Sequence, residues 1–192
     1  MVGERRASRR ALLKDAGAGL AAAGAFGLLG CGRSAPATAG TGGTSSTPIV
    51  PSDVSILAAA LELERRTVAA YVAAIPLLDH DNAPMGRTFL EEELEQTGEL
   101  IVLIRMAGGK ASPRANSYAI GRARDQPQAL ALLHGFERLQ IASYLQWVPR
   151  LSTASTRAAV ASVMAADAQH IAVLRATSGE PALASAFVTG ED

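Results

Sequence analysis

A single cysteine, Cys31, excludes an internal disulfide. Aromatic residues are scarce, with four Phe, three Tyr and one Trp, whereas Ala and Leu abound, which favours helices over sheets. Neither sign of charge predominates, with 18 basic and 18 acidic residues. The distribution is uneven: from Asp53 onward there are 12 Lys and Arg against 16 Asp and Glu, and the first 33 residues carry the other six basic groups. No basic stripe with interleaved aromatics exists in this acidic body, so no nucleic-acid partner is expected. Ser-His-Asp arrangements, phosphate loops and zinc signatures are also missing. What remains is ample apolar material: 48% of the 192 residues are hydrophobic, enough for one domain with a true core.

The N-terminus reads as an address. "SRRALLK" (Ser8 to Lys14) places adjacent arginines before the 15-residue apolar stretch "AGAGLAAAGAFGLLG", which is short for a membrane span. The segment resembles a twin-arginine export signal. "LLGC" (Leu28 to Cys31) resembles a lipobox, in which cleavage before Cys31 leaves a thiol that carries a diacylglycerol. These features predict a signal peptide over 1–31 and a chain exported by the twin-arginine route. They also predict lipid anchoring through Cys31 at the outer face of the cytoplasmic membrane or in the periplasm. Residues 32–52 are almost entirely Ala, Gly, Ser, Thr and Pro and predict a flexible linker. Protein partners are not legible.

Over 53–178 the pattern predicts four helices. The first runs from a Ser52–Asp53 cap to Ile75, ended by Pro76. The second runs from Arg87 to Met106, stopped by Gly108 and Gly109. The third spans Pro127 to Val148, and the fourth Thr156 to Thr177, capped by "STAST". A tail, 179–192, follows. Two short links flank one long crossover, a connectivity found in ferritin-like bundles.

The chain also repeats itself. "ERRTVAAYVAAIPLL" (64–78) lies over "ERLQIASYLQWVPRL" (137–151) at an offset of 73, and an offset of 74 places Glu93 on Asp167, Gln96 on His170 and Leu100 on Leu174. A helical hairpin is used twice. On each helix the inward stripe is interrupted by polar residues: Glu64 in the first, Glu93 and Gln96 in the second, Glu137 in the third, Asp167 and His170 in the fourth. Thus, of the five glutamates in "FLEEELEQTGELI", only Glu93 falls on the stripe with Phe89, Leu100 and Ile104; Glu91, Glu92, Glu95 and Glu99 read as a solvated face. Four carboxylates converging in a core repel one another and lose hydration, so protons, partners or a metal must neutralise them.

The segments "LELERRTVAAY", "EEELEQTGELIVLIRMAGG", "ALLHGFERLQIASYL" and "ADAQHIAVLR" resemble the ferritin-like superfamily, specifically its exported bacterial ferritin-like domain proteins. The resemblance implies an all-α, ferritin-like four-helix bundle built from two repeated hairpins, with iron or manganese as cofactor. It implies Glu64 and Glu137 as terminal ligands, Glu93 and Asp167 as bridges, and His170 as imidazole ligand. Two departures weaken a symmetric metal pair. Gln96 stands where a second histidine is expected, and Asp167 is a methylene shorter than Glu. One metal position is then under-liganded, favouring a mononuclear site, with an emptied site as the alternative. His134, one turn before Glu137, is a further candidate imidazole, against the plainer reading of a boundary histidine bonded to a backbone carbonyl. Tyr71 and Tyr144 read as core aromatics whose hydroxyls need partners, and His80 as solvated. Two functions follow from these readings: a redox or metal-handling module, or a metal-free structural or interaction bundle.

Overall fold

The computed structural model describes residues 51–191. The signal, the lipobox and nearly all of the expected linker lie outside them. Among the described residues there are four α-helices and no strands: α1 (Pro51–Ala74), α2 (Ala83–Met106), α3 (Gln126–Trp147) and α4 (Ala154–Thr177). Each hairpin's first helix ends in the same way, in a 3-10 turn holding a proline, Ile75–Leu77 after α1 and Val148–Arg150 after α3. The two turns are 73 residues apart, so the repeat seen in sequence is a repeat of backbone.

The helices start earlier than expected, α3 at Gln126 rather than Pro127 and α4 at Ala154 rather than Thr156. The second helix starts at Ala83 rather than Arg87, because Pro84 falls in its first turn, where the missing N–H is no loss. The Asp79 carboxylate also receives the Asn82 N–H just before it, at 2.9 Å. The first helix begins at Pro51, so Asp53 sits inside its first turn. Its carboxylate accepts from the Ser152 backbone N–H (3.2 Å) and hydroxyl (2.7 Å). Ser152 immediately precedes Thr153, whose side chain caps α4 through the Thr156 N–H. Asp53 therefore ties the start of one hairpin to the mid-turn of the other.

Helix α1 packs on α2 and α3, α3 packs on α4, and α2 and α4 touch only slightly. Apolar residues form two clusters with the polar stripes between them. One holds Leu57, Leu61, Leu100, Ile104, Leu151 and Val160; the other holds Ala74, Leu78, Phe89, Leu130, Leu133 and Leu174. Polar residues at mid-stripe are thus sealed at both ends of the bundle.

The long crossover, 107–125, leaves α2 through Gly108 at φ +78°, in the left-handed region that glycine adopts freely. Hydrogen bonds from Gly109 N–H to the Ile104 carbonyl and from Gly108 N–H to the Arg105 carbonyl, both 2.9 Å, complete a Schellman end. Buried Arg65 of α1 then pins the crossover by donating to the Ser112 carbonyl at 2.9 Å. A Cβ on Gly109 would lie 2.6 Å from Val54 Cγ1 and 3.2 Å from Ile104 Cγ2. Gly109→Ala is therefore expected to lower stability by about 1–3 kcal/mol through overpacking, read as a shift of the urea midpoint with an unchanged slope.

Candidate metal centre

The i, i+3 spacing of a helix places two side chains on one face, and three of the helices use it at mid-length: Glu93 and Gln96 on α2, Glu137 and Gln140 on α3, Asp167 and His170 on α4. Together with Glu64 of α1, these side chains converge between the two apolar clusters. Glu64, Glu93, Glu137 and Asp167 have no exposed surface, and His170 has 1%.

Four of them form a tight group. Glu93, Glu137, Asp167 and His170 each bring one ligand atom to within 4.8 Å of all the others. His170 Nδ1 lies 3.2 Å from Glu137 Oε1 and 3.4 Å from Glu93 Oε1. Its other ring nitrogen, Nε2, is 2.6 Å from Glu92 Oε2, and its ring stacks on Phe89 with centroids 4.1 Å apart. A carboxylate on Nε2 keeps the proton there and leaves Nδ1 as the nitrogen facing the acidic group.

Glu64 is buried at the same level but lies outside this group. Its Oε1 accepts from the Tyr144 hydroxyl and its Oε2 from Gln140 Nε2 at 2.6 Å. The Gln140 amide donates also to Glu93 Oε2, at 3.2 Å. Tyr71 reciprocates on the other side, donating to Glu137 Oε1. Each tyrosine is seven residues beyond the glutamate of its own helix, and each bonds the glutamate of the neighbouring one, as antiparallel α1 and α3 require. The expectation that these hydroxyls need partners is met across the repeat axis.

The other candidates are placed as follows. Gln96 is 8% exposed and sits in the wall of a groove of about 340 Å³ between α2 and α4, with Glu95, Glu99, Ser162 and Ala166 around it. Its amide lies near enough to Asp167 to lower that carboxyl slightly without reaching hydrogen-bond geometry, and it is not one of the four clustered residues. His134 is half-buried on α3 and lines a separate cleft of about 370 Å³ with Gln126, Arg175 and Glu180, away from the acidic group.

Two contributors escaped the sequence reading. Glu92 was expected on the solvated face, and its side chain is 48% exposed, yet its carboxylate engages His170. It is three residues after Phe89 and four before Gln96, so the stepping that selects Glu93 also admits Glu92. Gln140 is three residues after Glu137 and four before Tyr144. A stripe drawn through Ile141 passes it by, although a stripe through Gln140 steps equally well.

The electrostatics follow from burial. Loss of hydration, with Glu93 and Asp167 nearby, holds the Glu64 carboxyl well above the usual range. Asp167 is raised likewise by burial, Glu137 and Glu93. Burial and Glu93 lift Glu137 to about 7, against the lowering contacts of His170 and Tyr71. For His170, burial pulls downward, but its bonds to Glu137 and Glu93 and the Glu137 charge outweigh that and push it up to about 11. Hydrogen bonding leaves several buried acceptors unserved: Glu137 Oε2 and both Asp167 oxygens accept none, and Glu93 Oε1 has only the long His170 Nδ1 contact at 3.4 Å.

A family model described as a ferritin-like domain matches residues 52–180. The chain belongs to the ferritin-like domain family. Among solved structures, this ferritin-like chain is similar to a conserved hypothetical protein from Mycobacterium tuberculosis. The TM-score is 0.64 at 19% identity, over 70% of this chain and 96% of that one, which speaks to the fold alone. No curated protein matches the chain.

Proposed function

We propose that the bundle is a single-site metal-handling module of the cell envelope, with Glu93, Glu137, Asp167 and His170 as the residues that would hold one iron or manganese ion. The observation that carries this reading is the set of buried carboxylate oxygens on Glu93, Glu137 and Asp167 that accept no hydrogen bond, gathered beside a histidine. Buried acceptors without donors are costly, and a divalent cation satisfies all of them at once. Carboxylate and imidazole donors suit iron and manganese better than softer metals. When bound, such an ion supplies redox chemistry toward oxygen or peroxide. The protein's own part is to orient His170 through Glu92 and to exclude water with the apolar clusters on either side.

The N-terminal segment supports the location. Its likeness to a twin-arginine signal and a lipobox points to export and to anchoring through Cys31 at the outer face of the cytoplasmic membrane. Twin-arginine export carries folded proteins, which allows metal loading before export. An acylated tether also hinders closed-shell assembly, so storage in a cage is the less suitable role.

A second reading, a metal-free structural or interaction module, is favoured by one observation: both Glu64 oxygens already have donors, Tyr144 and Gln140. One measurement separates the two. Full-length protein folded in the cytoplasm under iron or manganese supplementation is expected to retain close to one equivalent of metal by elemental analysis. Less than roughly a tenth of an equivalent excludes the metal reading, since four converging donors hold an ion through desalting.

A further inference from the structure

The two halves of the centre are related by the repeat, which pairs Glu64 with Glu137, Thr67 with Gln140, Glu93 with Asp167 and Gln96 with His170. If both halves were alike, Glu64 would help to hold a second ion as Glu137 would help to hold the first. Besides the shorter Asp167 opposite Glu93, two residues break the likeness. Gln96 replaces an imidazole, and Gln140 replaces a threonine.

The second difference is the decisive one. Thr67 turns its hydroxyl back to the Leu63 carbonyl of its own helix, at 3.2 Å, and adds nothing to the cluster of donors. Gln140 instead extends inward, fully buried, and places one amide nitrogen between Glu64 Oε2 at 2.6 Å and Glu93 Oε2 at 3.2 Å. Its own Oε1 has no partner, so the two carboxylates, not the acceptor end, account for the amide's orientation. A nitrogen donor held by carboxylates from two helices stands where a bridging cation would.

We infer that Gln140 is a built-in substitute for a second metal ion, and that with Gln96 it restricts the centre to one. This inference rests on the single-metal reading above and adds what enforces the number. The Gln140 amide occupies the oxygens of Glu64 and Glu93 that a second ion would need, and Gln96 withholds the nitrogen ligand. Glu64 thereby becomes a hydrogen-bond acceptor for Gln140 and Tyr144 instead of a ligand. The asymmetry also gives Glu93 separate roles for its two oxygens: Oε2 toward Gln140, Oε1 toward His170.

The test copies each residue's repeat-mate into the closed half. Full-length protein carrying Gln96→His and Gln140→Thr together is folded in the cytoplasm with Mn(II), freed of excess metal, and compared with the wild-type chain. The readouts are manganese content and electron paramagnetic resonance. The wild-type protein is expected to hold one equivalent with the hyperfine pattern of an isolated ion. The double variant is expected to hold two, with the broadened spectrum of an exchange-coupled pair. Should threonine leave too large a void for folding, Gln140→Glu with Gln96→His keeps the volume, replaces the amide donor with a carboxylate that only accepts once ionised, and carries the same expectation. A folded double variant, judged by helical circular dichroism, that stays at one equivalent with an isolated-ion spectrum overturns the inference and leaves the single-metal reading intact. A wild-type chain that already holds a coupled pair overturns the inference from the other side. A wild-type chain with no metal overturns the single-metal reading, and with it the limit of one.

Discussion

Asp167→Asn is expected to stabilise the metal-free protein at pH 8 and at the same time to abolish its stabilisation by Mn(II). Both effects have one cause. Asp167 is without exposed surface and neither of its oxygens has a hydrogen-bond partner. Burial and the neighbouring Glu137 and Glu93 hold its carboxyl well above the usual range, so folding either buries its charge or keeps on it a proton that the unfolded chain has released. Asparagine has no charge to neutralise and brings an N–H donor into a site crowded with acceptors. The expected gain is about 1–3 kcal/mol, the usual scale for a buried unsatisfied polar group, and it shrinks at pH 5, where the proton is cheaper to hold. The loss is larger. Changes to residues behind a metal's ligands weaken binding by about 10–100-fold, so removing an anionic ligand itself is expected to exceed about 100-fold. Titration of both proteins with Mn(II), followed by thermal unfolding, reads both effects. Equal stabilisation of the two by Mn(II) would place the ion elsewhere, and a less stable metal-free variant would mean that Asp167 is held for structural reasons alone.

The opposed signs illustrate why such a site is legible in sequence. Positions that weaken the fold are visible because they break its pattern. Glu64, Glu93, Glu137 and Asp167 interrupt otherwise apolar stripes, and the offsets of 73 and 74 show that the interruptions share one level of the bundle. The fold, the four helices and the central layer follow from periodicity and repetition. The paired 3-10 turns at Pro76 and Pro149 bear out the first of those offsets in backbone.

What periodicity leaves undetermined is which polar neighbours of a stripe turn inward. A helical face is wide enough to admit either Gln140 or Ile141, and either Glu92 or Glu93. In each case both are used: Ile141 is buried beside Gln140, and Glu92 and Glu93 approach opposite nitrogens of one imidazole. The choice depends on what faces the residue from another helix. Gln140 turns in because Glu64 and Glu93 accept its amide, and Glu92 because His170 Nε2 is left over once Nδ1 points to the cluster. Those partners are 76, 47 and 78 residues away in the chain. The exclusion of Glu64 from the four-residue group has the same origin, since its two donors, Tyr144 and Gln140, both come from α3. The early start of α2 was lost for a local reason, because Pro84 reads as a loop residue unless it is recognised as part of a first turn.

The stability of the metal-free protein is expected to fall steadily from pH 5 to pH 9, and saturating Mn(II) is expected to reverse that slope. The sign is the same for every shifted group at the centre. Burial and Glu93 raise Glu137 from 4.5 to about 7 in the fold, so its contribution is fully present below pH 4.5 and is lost as pH rises through 7. Glu64 and Asp167, raised by burial and by neighbouring carboxylates, act in the same direction. His170 is raised from 6.5 to about 11 by Glu137, Glu93 and Glu92, in spite of its burial. Its contribution is therefore present below pH 6.5 and disappears as pH rises through 11. No shifted group at the centre offsets another, and Glu137 alone accounts for a loss on the order of 3 kcal/mol between pH 4.5 and pH 7. A metal ion inverts the dependence because it binds deprotonated carboxylates and neutral imidazole, so its affinity grows as those protons leave. Thermal unfolding at pH 5, 7 and 9, with chelator in one series and Mn(II) in the other, gives the two slopes. Mixing Mn(II) with the protein in weakly buffered solution at pH 7 should also release protons, because the carboxyls and His170 that keep theirs in the fold must surrender them to the ion. A flat or rising metal-free series would mean that the buried acids titrate as ordinary carboxylates. Parallel falling series, with no proton release, would mean that Mn(II) never reaches Glu93, Glu137, Asp167 and His170.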